Sequence, residues 1–304
     1  MYQIITDRFY KGHGDYSNCK NLYKRCGGTL QGITEKLEYI QNLGMEAIWI
    51  SPLCKNRPED YHGYGCINLY RIDDWMGNIE TLNNLAEEMH KRNMFLMHDI
   101  VLNHAGGVSQ NFYKLYPFNK PEFFHPFSLL PSNMWENRQK MENAWIYRLP
   151  DLDQDHPTVK KILTEWVTEF VIQKFRADAL RIDTVPFVPH RFWNELQEKL
   201  SVFTIGEVLN GDPNIIAEYM PHFDSLFNYP LYFTLIDVFA RSHSMKEISY
   251  RIKEIRKKIR DPSVLGIFVD NHDVPRFLHI NHDITLYKNS LVYILFAEGI
   301  PFIY

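Results

Sequence analysis

The stretch FLMHDIVLNH, residues 95–104, sets a run of aliphatic and aromatic side chains ahead of a polar end. A run this apolar reads as a strand buried on both faces, and the Asn and His that close it read as groups delivered to a surface. Comparable runs recur at 2–6, 47–50, 179–182, 203–207, 226–228, 265–269 and 301–304. Stretches of helical periodicity fall between them at 33–43, 82–93, 158–175, 192–200, 245–258 and 284–296. Strand and helix in alternation make βα units and a parallel sheet. Eight strands favour a closed α/β barrel of the (β/α)8 TIM type over an open doubly wound sheet. No GxGxxG or P-loop lysine motif follows the first strand, which disfavours nucleotide binding.

One interval breaks the rhythm. Roughly 75 residues separate the third run from the fourth, far more than a βα connection requires. This segment, rich in Phe, Pro, Asn and Trp, is expected to leave the barrel at the C-terminal end of strand three, on the face where such barrels build their sites. The expected organisation is a barrel from 1–103 and 156–304 with a domain inserted at 104–155.

The 37 acidic and 33 basic residues give a net charge of −4 with no block of like charge, which argues against a nucleic-acid partner. No apolar run reaches membrane-spanning length, and the N-terminus carries no signal-like segment. The 18 Tyr, 20 Phe and 6 Trp leave aromatic surface over for stacking on a sugar. Cys19 and Cys26 lie where a small covalent loop can close, while Cys54 and Cys66 read equally as a second pair or as free thiols.

The polar residues of interest stand where strands end. Asp99, Asn103 and His104 follow the third, Arg181 and Asp183 the fourth, Glu207 the fifth, and Asn271, His272 and Asp273 the seventh. In a barrel these ends converge on one pocket. Any one of them could be a helix cap, but three carboxylates at three strand ends, Asp183, Glu207 and Asp273, are the equipment for acid/base work on a glycosidic bond.

Four ordered segments, DIVLNH (Asp99 to His104), ALRIDTV (Ala179 to Val185), IGEVLNGD (Ile205 to Asp212) and VDNHDVPR (Val269 to Arg276), resemble the signature regions of the α-amylase family of glycoside hydrolases. YQIITDRF, CGGTLQGI, AIWISP, YHGY, LPDLD and the final GIPFIY extend the resemblance over essentially the whole chain, in the style of the secreted, endo-acting fungal enzymes. The resemblance implies hydrolysis of α-1,4-glucan, starch or maltooligosaccharides with retention of configuration. Asp183 would be the nucleophile, Glu207 the acid/base, and Asp273 a binder of sugar hydroxyls. Arg181 would keep Asp183 ionised, His104 and His272 would donate to the sugar, Tyr64 would stack on it, and His62 would belong to the same loop.

A second, oxygen-rich set comprises Asn103, Glu142 and Asp151. Hard oxygen ligands suit calcium better than a transition metal. By resemblance Ca²⁺ would pin the inserted domain to the barrel, with a backbone carbonyl near Phe187 completing the site and Asp99 bracing the loop rather than binding the ion. The chain departs from the family pattern at Pro186 and Phe187, which replace Lys and His, and at Gly65, His98 and Asp270. Relatives continue past GIPFIY, so the resemblance also implies a chain truncated near strand eight. It places the protein in an extracellular, vacuolar or lysosomal setting, as a monomer acting on glucan. The competing expectations are a glucan-transferring or maltooligosaccharide-hydrolysing relative, and a carbohydrate-binding pseudoenzyme or inactive fragment.

Overall fold

The computed structural model describes residues 1–107 and 111–304. Positions 108–110 of the expected 104–155 excursion lie outside the described residues. Ten strands occur among the described residues: β1 (Tyr2–Ile4), β2 (Ala47–Ile50), β3 (Cys54–Asn56), β4 (Cys66–Ile72), β5 (Phe95–Ile100), β6 (Ala179–Ile182), β7 (Phe203–Gly206), β8 (Ser225–Leu226), β9 (Gly266–Ile267) and β10 (Ile300–Pro301). The chain divides into two compact units, Ile4–Phe203 and Thr204–Tyr304 with Met1–Gln3.

In the Ile4–Phe203 unit, β5 lies between β2 and β6, parallel to both. β2 and β6 are buried at every residue and β5 at all but its first, as strands covered on both faces must be. Ile48 pairs with Leu96 and Asp99 with Arg181, so a charged pair sits near the C-terminal end of the ladder. An antiparallel hairpin, β3 with β4, was not foreseen from the sequence, because Lys, Asn, Arg and Pro interrupt it where β-formers would be expected.

Two expected helices differ in detail. The 33–43 stretch forms two helices, Leu30–Glu35 and Leu37–Asn42, broken at Lys36, whose ammonium lies 4.5 and 4.7 Å from the ring centroids of Tyr10 and Tyr16. The 158–175 stretch begins as an α-helix, Pro157–Glu165, and widens into a π-helix, Trp166–Lys174. There the Trp166 indole donates to the Leu69 carbonyl at 2.9 Å, tying the helix to β4.

The excursion after β5 contains 3₁₀ turns and one short helix, Arg138–Glu142, around clustered rings. Phe112 stacks on Phe124 at 4.5 Å, and Trp145 meets Phe127 edge-on at 5.2 Å. Its return is stitched to the end of β5, where Leu152 N donates to Asn103 O at 2.9 Å and Ala105 N to Pro150 O at 2.9 Å.

In the other unit, β7 pairs with β8, Phe227 bridges to Gly266, β9 pairs with β10, and Tyr2 bridges to Ile303, all parallel. The strands expected at 226–228, 265–269 and 301–304 are present but shorter. The ladder stops where side chains are needed for other work: Asn228, just past β8, caps helix Tyr229–Leu235 by accepting from Leu231 N at 3.0 Å. Phe227, Phe268, Phe302 and Tyr232 fill this unit's core with rings 4.9–5.8 Å apart. Cys19 and Cys26 are disulfide-bonded, and Cys54 and Cys66 are buried free thiols. Among the described residues no helix is long and apolar enough to cross a membrane.

Candidate active site

The parallel register of β5 and β6 sets Asp99 opposite Arg181, and Asp183 follows one residue after β6 ends. All three are buried. One Arg181 nitrogen, Nη1, donates to Asp183 Oδ1 at 2.6 Å and to Asp99 Oδ1 at 3.1 Å. Asp99 also accepts from Trp49 Nε1 at 3.0 Å and from the Tyr64 hydroxyl at 2.7 Å. Burial drives the Asp99 carboxyl up to about 7, with Arg181 pulling the other way and Asp183 adding to the rise. The guanidinium lies over Trp49 and Tyr64, 5.1 and 5.8 Å from their ring centroids. Asp183 is thus aimed by a cation that is itself held in place by a second carboxylate and two rings. Beyond it, Thr184 turns the chain with a left-handed φ of 48°.

The YHGY motif sits in the β3–β4 hairpin. His62 Nδ1 accepts from Tyr64 N at 3.0 Å, and the two rings stack at 5.8 Å with planes 20° apart. Burial lowers the His62 pKa, which favours the neutral ring. Gly65, which stands where the resemblance leads one to expect an aromatic, has a steric reason. A Cβ there would come within 2.0 Å of Asp60 Oδ2, and one on Gly106 within 1.9 Å of the Gly65 backbone. Gly106 N donates to Cys66 O at 2.6 Å across this contact.

His104 joins this loop to the oxygen-rich set. Its Nε2 lies 3.2 Å from Tyr64 O and its Nδ1 3.1 Å from one atom of the Asn103 amide. The other amide atom lies 2.9 Å from Phe187 O and 3.2 Å from Asp151 Oδ1. Two arrangements follow. With the amide nitrogen toward Phe187 and Asp151, those two acceptors are satisfied, but His104 then faces an acceptor at both ring nitrogens and needs two protons. Burial lowers its pKa and opposes that. With the amide oxygen toward Phe187 and Asp151, a neutral His104 is fully satisfied and three oxygens converge with no amide proton between them.

Asp151 is buried, pushed up to about 7 by that burial, and accepts from His125 Nδ1 at 2.7 Å. Glu142, raised by burial as well, ends the helix that packs against the Val185–Phe187 turn. Among the described residues no three His, Cys, Asp or Glu side chains cluster as a metal site. The convergent oxygens come instead from one amide, one carbonyl and a carboxylate. His125 was not singled out from the sequence, where a lone His in HPF carries no signal.

In the other unit, Glu207 follows β7 directly and is buried. Asp273 is more open, its side chain 35% exposed, and lies 3.2 Å from His272 Nε2. His272 Nδ1 is 2.6 Å from the Gln3 amide. Asn271 donates to the Tyr229 hydroxyl at 3.1 Å and accepts from Asp273 N at 2.8 Å, fixing the NHD turn. Sequence reading missed Gln3, Tyr229 and Trp49, whose partners are distant in the chain. The structure brings Arg181, Asp183, Tyr64, His62 and His104 into one connected network, gathers Asn103, Asp151 and Phe187 O around one amide, and pairs His272 with Asp273.

The sequence profile described as alpha amylase, catalytic domain, matches residues 3–304. The chain is 37% identical to Alpha-amylase 2 of Schwanniomyces occidentalis and 36% identical to an alpha-amylase of Saccharomycopsis fibuligera. In both cases the alignment covers 100% of this chain and 63% and 64% of the relative, so the chain spans less than two thirds of these proteins. Among solved structures, an alpha-amylase from Malbranchea cinnamomea superposes with a TM-score of 0.94 at 35% identity, over 100% of this chain and 67% of that one. The structure of CldA, titled a cyclomaltodextrin glucanotransferase, superposes with a TM-score of 0.86 at 26% identity, over 100% of this chain and 70% of that one.

Proposed function

We propose, from the premise that this chain belongs to the α-amylase family of glycoside hydrolases and shares its TIM-barrel fold, that it carries the catalytic groups of an enzyme hydrolysing α-1,4-glucosidic bonds with retention. Asp183 attacks the anomeric carbon as the glycosidic bond breaks, and Glu207 gives its proton to the departing oxygen. Glu207 then takes a proton from water, which displaces Asp183 and releases the sugar with its original configuration. The nucleophile must be ionised, and the observation that carries this reading is the 2.6 Å contact between buried Arg181 and Asp183. Asp273 and His272 bind sugar hydroxyls, His104 donates to them, and the stacked rings of Tyr64 and His62 form an apolar floor for the pyranose.

Calcium fits the oxygens around Asn103. In the arrangement that satisfies a neutral His104, the Asn103 oxygen, Asp151 and Phe187 O face one another and need a cation, and the helix that Glu142 ends packs against the same turn. The ion would supply the positive charge these oxygens lack, and so fix the Asn103 amide that orients His104.

Replacing Glu207 by Gln tests the assignment. Reducing-sugar release from soluble starch should fall by about 10²–10⁴-fold, while an activated maltosyl fluoride, which needs no acid to leave, should still label Asp183 in a peptide map. Equal starch hydrolysis by the two proteins refutes the acid/base role.

The likeness to a glucanotransferase supports a second reading, transfer to a sugar acceptor in place of water. Transfer products from maltotriose would reveal it. A binding protein without catalysis is disfavoured by the presence of all three carboxylates. The Cys19–Cys26 disulfide supports an extracellular or vacuolar setting.

A further inference from the structure

β1 carries a polar side chain where the strand is buried, for Gln3 is only 4% exposed. An amide in that position costs free energy unless it is hydrogen-bonded, and an apolar side chain of the same length would fill the space without that cost. The backbone is already served, since Gln3 N donates to Ile303 O at 2.7 Å and Tyr2 bridges to Ile303. The side chain reaches His272 instead, its amide nitrogen 2.6 Å from Nδ1, within the same compact unit.

The second ring nitrogen decides what this contact does. Nε2 lies 3.2 Å from Asp273 Oδ2, and a carboxylate oxygen only accepts, so Nε2 carries a proton. An amide NH2 group only donates, so Nδ1 meets it with a lone pair. Together the two contacts select the neutral tautomer protonated at Nε2. Asp273 alone would not, because a carboxylate beside a histidine favours the imidazolium, with a second proton on Nδ1. That proton would face the amide protons of Gln3, and turning the amide to present its oxygen would leave a neutral ring with no lone pair to receive it. Gln3 therefore opposes what Asp273 promotes. The turn itself is held independently, with Asn271 accepting from Asp273 N at 2.8 Å, so the Gln3 side chain governs the ring rather than the backbone.

The charge on the ring bears on the chemistry. Glycoside hydrolysis passes through an oxocarbenium-like state in which the sugar gathers positive charge. Asp273 stabilises that charge only while its own is not cancelled, and an imidazolium 3.2 Å away would cancel it. We infer that Gln3 is a positioning residue of the reaction, which keeps His272 neutral with its one ring proton on Nε2, so that the ring donates to a sugar hydroxyl and leaves the charge of Asp273 intact. The inference rests on the proposed roles of His272 and Asp273 toward the sugar.

The experiment compares the full chain with Gln3→Glu, which replaces the donor by a second carboxylate, and Gln3→Met, which keeps the length and removes the donor. Ring states are read from the nitrogen-15 shifts of labelled histidine, the His272 signals being identified by their loss in His272→Asn. Catalysis is read as kcat and KM on soluble starch, and folding by urea unfolding. At pH 7 the parent should show an unprotonated Nδ1 and a protonated Nε2. Gln3→Glu should show both nitrogens protonated at the same pH, and Gln3→Met a mixture of ring states. In Gln3→Glu kcat should fall by about 10–100-fold, as when the outer partner of an oriented histidine is lost, while KM stays within about threefold because the charge acts on the transition state. A role confined to packing would lower the urea midpoint and leave the His272 shifts of both variants as in the parent, and that result overturns the inference. A proton on Nδ1 in the parent at pH 7 overturns it equally. A parent enzyme that releases no reducing sugar from starch refutes the amylase reading itself, whatever the state of the ring.

Discussion

Asp99 and Asp151 are both buried aspartates driven up to about 7 by loss of water, yet their surroundings differ in kind. Asp99 has a permanent cation, Arg181, at 3.1 Å and two further donors in Trp49 and Tyr64. Asp151 has His125 at 2.7 Å and an Asn103 atom at 3.2 Å, neither of which carries a fixed charge. The first site is electrostatically closed by the sequence itself. In the reading proposed above, the second would be completed by positive charge from solution, and the difference separates a structural ion pair from a proposed ion site.

Removing the cation from the closed site should have the largest effect. Arg181→Met leaves two buried carboxylates facing one another and should cost about 3–5 kcal/mol in urea unfolding. Starch hydrolysis should fall by about 10²–10³-fold as Asp183 loses its donor. Wild-type stability in this variant would erase the contrast.

Emptying the open site comes next. EDTA should lower the melting temperature, and Ca²⁺ at a hundred times its Kd should restore about 2.7 kcal/mol. Asp151→Asn should abolish that response. A melting curve indifferent to both chelator and calcium removes Asp151 from any ion site.

The smallest effect sharpens the Asp99 side. Its folded pKa, about 7, lies above the ordinary aspartate value, so the native state holds a proton that the unfolded chain gives up. That contribution to stability is present below about pH 4 and lost as pH rises through about 7. Asp99→Asn should therefore flatten the decline of the urea midpoint over this window relative to the parent protein. Parallel slopes in the two proteins would mean that Arg181 and Tyr64 hold Asp99 ionised throughout.

Much of this was legible in the sequence, for definable reasons. The strands around the site are buried on both faces, so AIWI announces itself as an unbroken apolar run and ALRI as one interrupted only by Arg181. Asp183 follows such a run directly, and Arg181 reads as its partner because alternate residues of a strand share a face. Glu207 and Asp273 stand out by the same logic. What escaped depends on pairing between distant segments. The β3–β4 hairpin is irregular in register and polar in content, Trp49 looks like any core aromatic until Asp99 is found against its indole, and His125 acquires meaning only when Asp151 lies 2.7 Å away. The break at Lys36 is equally silent, and the Tyr10 and Tyr16 rings beside its ammonium belong to another stretch of chain.

The contact between Gly65 and Gly106 makes two distant stretches of chain inherit one another's changes. A side chain at Gly106 would push apart the hairpin that presents Tyr64 and the segment that presents His104, whereas one at Gly65 would strike Asp60 within the hairpin itself. Random libraries confined to the segment after β5 will therefore return glycine at 106, because its clash is with the backbone of the other stretch and cannot be relieved by a change of side chain.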